Sequence, residues 1–175
     1  KTIARHISSL KNYYLFLYDN NYIKNNYFIN IKSPKLDKTL PNYLDFEDLN
    51  KLLDIFDLSK PLELRNKLII ELFYSTGIRL AELVEIKISD IDFNEKAIRI
   101  LGKGSKERIV YYGDVAKSLL DKYLDIRLDL LNDKNNSNLF INNKGDLLTV
   151  SGIHNLFNQT IKKVCLKNHL SPHTL

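Results

Sequence analysis

The sequence predicts a mainly α-helical fold carrying one small antiparallel β-sheet. Two observations predict it. Apolar residues recur at spacings of three and four along most of the chain, the period of helices with one buried face. The exception is a stretch around residues 97–112, where two short β-type runs flank a pair of glycines, as in a hairpin. With 44% hydrophobic residues, the 175-residue chain can bury a sizeable core.

The helical pattern begins at the first residues. Ile3, Ile7, Leu10, Tyr14 and Leu17 form one apolar stripe, with Lys1, Arg5 and Lys11 off it and able to reach phosphates. Residues 20–44 are polar and contain Ser33-Pro34-Lys35 and Leu40-Pro41, which read as an extended linker because proline disfavours helix in the residue before it. A domain boundary is expected here, with residues 1–30 as one helical part, 31–44 as linker and 45–175 as a second domain.

A helix with an acidic start at Asp45 or Glu47 follows, its inner face being Phe46, Leu49, Leu52, Leu53 and Phe56. Pro61 suits the first position of the next helix, which runs to about Ser75 and is apolar on most sides. It is the expected central helix. Gly77 stops it, and a new pattern begins with Ala81, Leu83 and Ile86. Arg79 and Glu82 therefore stand one turn apart at the start of this helix. A guanidinium held by a carboxylate can clamp a phosphate bidentately, although a helix-terminal Arg–Glu surface pair has the same spacing.

Ser89–Asp92 reads as a turn, Ala97–Leu101 as a strand and Arg108–Tyr112 as its return, with Lys103, Lys106 and Arg108 near the tip. A lysine between two glycines is sterically open to a nucleic-acid backbone or is simply a solvated turn residue. The complete phosphate-loop pattern is absent, which argues against nucleotide binding. Asp114 is the expected cap of a helix to about Leu131, with Val115, Leu119, Tyr123 and Leu124 inward. Residues 132–138 form a polar loop, 139–141 a possible short strand and 143–145 a turn. A last long helix is expected from Ser151 through Ile153, Leu156, Phe157, Thr160, Ile161 and Val164. Cys165 reads as a core residue, and His154 and His169 as structural or exposed. Ser171-Pro172 reads as a helix start, placing His173 in a first turn where amides favour an anion, unless the histidine there is incidental.

Charge is distributed unevenly. Residues 1–44 hold seven Lys/Arg and two Asp/Glu, whereas residues 45–175 hold nineteen of each. Attraction to a polyanion is thus expected from the first quarter of the chain. A single cysteine excludes a disulfide framework and a Cys-rich zinc site. No apolar run is long enough for a membrane span and no leader pattern is present, so a cytoplasmic protein without membrane partners is the default expectation.

Three segments, in order, resemble the tyrosine recombinases, especially the Xer-type enzymes. Ser75-Thr76-Gly77-Ile78-Arg79-Leu80-Ala81-Glu82-Leu83 is similar to the box around that family's first catalytic arginine. Gly102-Lys103-Gly104-Ser105-Lys106-Glu107-Arg108 resembles its lysine hairpin, and Leu170-Ser171-Pro172-His173-Thr174-Leu175 resembles the start of its His-x-x-Arg box. Thr2, Arg5, Ser8 and Leu10 resemble a pattern in the last long helix of its core-binding domain.

The resemblance implies a catalytic domain over 45–175, preceded by the end of a helical core-binding domain and a basic linker. It implies metal-free, cofactor-free strand cleavage through a 3′-phosphotyrosine. Arg79 would bind nonbridging oxygens, Glu82 would brace the loop, Lys103 would protonate the leaving oxygen, and His173 would assist proton transfer. Arg5, Lys11, Lys32, Lys35, Lys38, Lys106 and Arg108 would contact DNA. The implied partner is double-stranded DNA, bound by a homo- or heterotetramer on two duplexes. Xer-type chromosome dimer resolution, with its link to chromosome partition and cell division, is the expected task. The alternatives are a phage or transposon integrase, a noncatalytic DNA-binding protein on a recombinase scaffold, and a helical interaction domain with no DNA role. The family's second arginine would fall just after Leu175, and none of the ten tyrosines occupies the nucleophile's motif. The expectation is therefore a chain cut from a longer recombinase at both ends and unable to cleave DNA alone.

Overall fold

The computed structural model describes residues 2–34, 46–102, 104, 106–131 and 135–164. The chain divides into two compact units, Lys1–Leu40 and Pro41–Leu175. The first holds α1 (Thr2–Asp19), and the described residues that follow contain no further helix or strand. Its predicted stripe forms, but no residue of α1 is buried. Ile3 and Leu10 are exposed, while Tyr14 is partly covered by stacking on Phe28 at 4.1 Å between ring centres.

The second unit is mostly helical. Its elements are α2 (Phe46–Asp54), α3 (Pro61–Thr76), α4 (Leu80–Glu85), β1 (Ile91–Asp92), β2 (Ala97–Leu101), β3 (Glu107–Tyr111), α5 (Asp114–Leu130) and α6 (Val150–Val164). α3 is the central helix, burying Leu64, Leu68, Ile69, Ile70, Leu72 and Phe73. It lies along α5, and α6 packs on α2 and α4. Phe73 of α3 meets Phe157 of α6 edge to face at 5.7 Å.

The three strands form an antiparallel sheet in the order β1-β2-β3. In the hairpin, Ala97 lies opposite Tyr111 and Leu101 opposite Glu107. Ile98 and Ile100 face the core and Ala97 is buried too, whereas Arg99 and Leu101 are exposed. A mainly α fold with one small sheet is therefore observed, as the two periodicities predict.

Several local expectations need correction. Phe46, Val115 and Ala81 are exposed while Leu49, Ala116 and Leu80 in the same first turns are buried, so each lies to the side of the face its helix packs. Gly113, not Asp114, is the N-cap of α5. The Asp114 carboxylate instead pairs with Lys96 across the strand end. Residues 88–90 make a 3₁₀ turn leading into β1. Residues 139–141 form no strand: they are fully buried, but Asn138 and Ile141 make only isolated bridges, to Lys87 and Leu147. The last helix starts at Val150, with Thr149 Oγ1 accepting the Gly152 N–H at 3.0 Å. Cys165, His169 and the segment around Ser171 lie outside the described residues.

Candidate functional site

The arginine box is built by the way α3 ends. Gly77 takes a left-handed conformation (φ 59°) and its N–H closes on the Phe73 carbonyl at 3.0 Å. Ile78 then inserts into the core and turns the chain back, leaving Arg79 as the N-cap residue of α4. The Glu82 carboxylate reaches back one turn and accepts the Arg79 backbone N–H at Oε2, 2.8 Å away. Arg79 Nη1 donates to Glu82 Oε1 at 2.9 Å.

A third side chain joins them from the sheet. Arg108, on β3, donates from Nη1 to Oε1 at 2.9 Å and from Nη2 to Oε2 at 2.7 Å. Glu82 is 8% exposed and Arg79 73% exposed, so a buried carboxylate holds a guanidinium that projects into solvent. The hydrogen bonds from Arg108 pull the Glu82 carboxyl from its ordinary 4.5 to about 2. Burial opposes that shift, and the Arg79 N–H and guanidinium add to it.

Gly102 closes the arrangement. A Cβ there would stand 3.2 Å from the Lys106 carbonyl oxygen, 3.5 Å from Arg108 Nη1 and 3.7 Å from Glu82 Oε1. The hairpin backbone thus passes directly over the Arg108–Glu82 pair. Beside it opens a cleft of about 410 Å³, lined by Glu82, Glu85, Lys87, Asp90, Arg99 and Glu107 among others. Its charges are mixed, so it offers a polyanion no excess of cations.

Of the residues singled out from the sequence, the structure brings together Arg79, Glu82 and Arg108. Lys106 is exposed on the hairpin. Lys103 and His173 lie outside the described residues, as do Lys35 and Lys38. Arg5 and Lys32 are exposed and Lys11 half-buried, all in the first unit. Among the described residues no cluster of His, Cys, Asp or Glu is placed to hold a metal, and no helix is long and apolar enough to cross a membrane.

Sequence reasoning missed two buried arginines that hold the segment over residues 136–141. Arg65 on α3 donates from Nη1 to the Ile141 carbonyl at 2.7 Å, and Arg127 on α5 reaches the Leu139 carbonyl at 3.0 Å. A signal was available for Arg127, which continues the buried stripe Ala116, Leu120, Tyr123 at helical spacing.

The chain has clear relatives among known proteins. The profile of the Phage integrase family matches residues 42–175, and the chain belongs to that family. Tyrosine recombinase XerC of Oceanobacillus iheyensis is 36% identical over 178 residues, covering 100% of this chain and 58% of the relative. Tyrosine recombinase XerD of the same organism is 38% identical over 176 residues, covering 99% of this chain and 59% of the relative. Among solved structures, the XerH site-specific recombinase bound to a palindromic difH substrate, a post-cleavage complex, is 31% identical with a TM-score of 0.70. That likeness covers 87% of this chain and 45% of the other. The chain thus spans somewhat over half the length of the curated relatives it matches.

Proposed function

We propose that the whole protein to which this chain belongs is a Xer-type site-specific DNA recombinase. The observation that carries the reading is the solvent-projecting Arg79 guanidinium, fixed at the end of the central helix by the buried Glu82. Similarity along this whole chain to part of proteins named XerC and XerD supports it.

Strand exchange without a metal needs cations that meet the extra negative charge of a five-coordinate phosphorus. Arg79 supplies one, binding the nonbridging oxygens. Glu82 braces it. Lys103 protonates the leaving 5′-oxygen and His173 assists proton transfer and phosphate binding. A tyrosine of the whole protein forms the 3′-phosphotyrosyl bond, which conserves the phosphodiester energy for religation.

Lys106 and the basic residues of the first unit and linker, namely Arg5, Lys11, Lys32, Lys35 and Lys38, contact the duplex backbone. Residues 1–30 then end a core-binding domain, 31–44 form the linker, and 45–175 belong to the catalytic domain. The assembly is a homo- or heterotetramer on two duplexes in the cytoplasm, and its task is the resolution of circular chromosome dimers.

The test uses the whole protein and a duplex nicked beside the scissile phosphate, so that the strand leaving after cleavage diffuses away. A denaturant-stable protein–DNA adduct through the 3′-phosphate is expected. Its absence at every candidate site would overturn the reading. Conversion of a circular DNA dimer carrying two sites to monomers then tests the finer task.

A further inference from the structure

Glu82 is a shared acceptor whose two partners grip it differently. A carboxylate has about four lone-pair positions. Here Oε1 receives Arg79 Nη1 and Arg108 Nη1, while Oε2 receives the Arg79 backbone N–H and Arg108 Nη2. Arg108 makes the planar two-pronged contact that fixes the orientation of a carboxylate. Arg79 meets the same two oxygens through one guanidinium nitrogen and its own main chain. The carboxylate plane to which Arg79 is held is therefore set by a strand residue 26 positions away.

Charge points the same way. Two guanidinium groups share one carboxylate, so the junction keeps one net positive charge, and Arg79 is the member that projects into solvent. Without Arg108, the Glu82 charge would be set against Arg79 alone. Both terminal nitrogens of Arg108 are engaged with Glu82, and Gly102 lies against one of them.

We propose that Arg108 is a positioning residue for Arg79, acting through Glu82 and not by contacting DNA. The proposal rests on reading Arg79 as the phosphate clamp of a recombinase, and it replaces the DNA contact that the sequence suggests for Arg108. Arg108 orients the clamp and keeps its positive charge from being neutralised.

The experiment compares the whole protein with its Arg108→Ala and Arg108→Lys variants on nicked duplexes. One duplex carries an ordinary scissile phosphate and the other a methylphosphonate, which lacks the charged nonbridging oxygen the clamp meets. Adduct formation by Arg108→Ala is expected to fall about tenfold or more on the phosphate, within the range of transition-state electrostatic effects. The loss should shrink to about twofold on the methylphosphonate. On the methylphosphonate duplex, where the Arg79 contact is already removed, the slope of log affinity against log salt should be the same for Arg108→Ala and the unaltered protein, whereas a lost contact to another phosphate would lower it by about 0.9. Arg108→Lys keeps the charge without the fork and should recover only part of the rate. It also carries the test should Arg108→Ala fail to fold.

An equal loss on both duplexes would reduce Arg108 to a merely structural residue, and a lowered salt slope would make it a DNA contact. Full rescue by lysine would remove the orienting role. Each of these results overturns the proposal. If the unaltered protein forms no adduct, the recombinase reading fails instead. Hydrogen exchange at the Arg79 amide, which Glu82 protects, then still decides the Arg108 tie: faster exchange in the variants supports it and unchanged exchange overturns it.

Discussion

Arg127 and Leu139 are joined through the interior: Arg127 Nε donates to the Leu139 carbonyl at 3.0 Å although Arg127 is only 3% exposed. Its Nη2 also donates to the carbonyls of Asn136 and Asn138, at 2.6 and 2.5 Å. On the other side, the Leu139 N–H donates to the Ile86 carbonyl at 2.7 Å. The backbone groups of this buried segment are thus satisfied by side chains, Arg127 and Arg65 among them, and by single hydrogen bonds to Ile86 and Leu148, not by a ladder. Arg127→Met keeps much of the volume but leaves buried carbonyls unpaired. We expect a loss of about 2–4 kcal/mol in unfolding free energy, read from urea denaturation.

That arginine also marks where the sequence stopped being legible. The core faces of α2, α3 and α6 follow from apolar spacing alone, because a helix repeats its buried face every three or four residues. The hairpin follows from two β-type runs around Gly102 and Gly104, and the Arg79–Glu82 contact from their spacing of one turn. Arg108 reaching Glu82 is a different matter. It depends on β3 being carried past the start of α4, which is set by tertiary packing and not by local pattern. Arg127 was hidden because a charged residue on a buried stripe has no place in an apolar count unless backbone carbonyls wait beneath it. Phe46 and Val115 lie beside the buried face and not on it: the first turns that hold them bury Leu49 and Ala116 instead.

Glu82 makes part of the stability depend on acid. A carboxyl whose folded pKa lies below its unfolded value contributes stability that is fully present above the unfolded value and is lost as the pH falls through the folded one. With 4.5 moved to about 2, the loss should occur between those values. The shift corresponds to at most roughly 3 kcal/mol, and on the order of 2 kcal/mol after allowing for solvent around the exposed Arg79. Urea midpoints measured at pH 6 and pH 3 should show about half of this drop or somewhat more. Glu82→Gln should be less stable at pH 6 and should lose less between the two pH values. An equal drop in both proteins would exclude Glu82 as its source.

Two glycines with the same handedness should respond differently to alanine. Gly77 has φ 59° and Gly145 φ 78°, so each replacement forces a residue with a Cβ into the left-handed region. At Gly77 the new methyl group would meet nothing within 4 Å, and a cost of about 1 kcal/mol is expected from the backbone alone. At Gly145 it would stand 2.4 Å from the Leu131 carbonyl oxygen, a backbone atom that cannot swing aside. The chain must shift there, and Gly145→Ala should cost more than about 2 kcal/mol. Thermal unfolding of the two variants side by side decides whether the close approach or the left-handed angle dominates.

Arg79→Ala separates chemistry from folding. The side chain is mostly solvent-exposed, and its removal leaves Glu82 with the two-pronged contact from Arg108 and with the Arg79 main-chain N–H. Unfolding free energy should therefore change by less than about 1 kcal/mol, as for a surface ion pair. Adduct formation by the whole protein on a nicked duplex should fall by about a hundredfold or more, since the lost cation faces charge that develops only in the transition state. Denaturation and adduct yield, measured on the same preparation, give the two numbers. A large stability loss with a proportionate activity loss would make Arg79 a helix-end support, whereas activity lost from a stable protein is what a phosphate clamp requires.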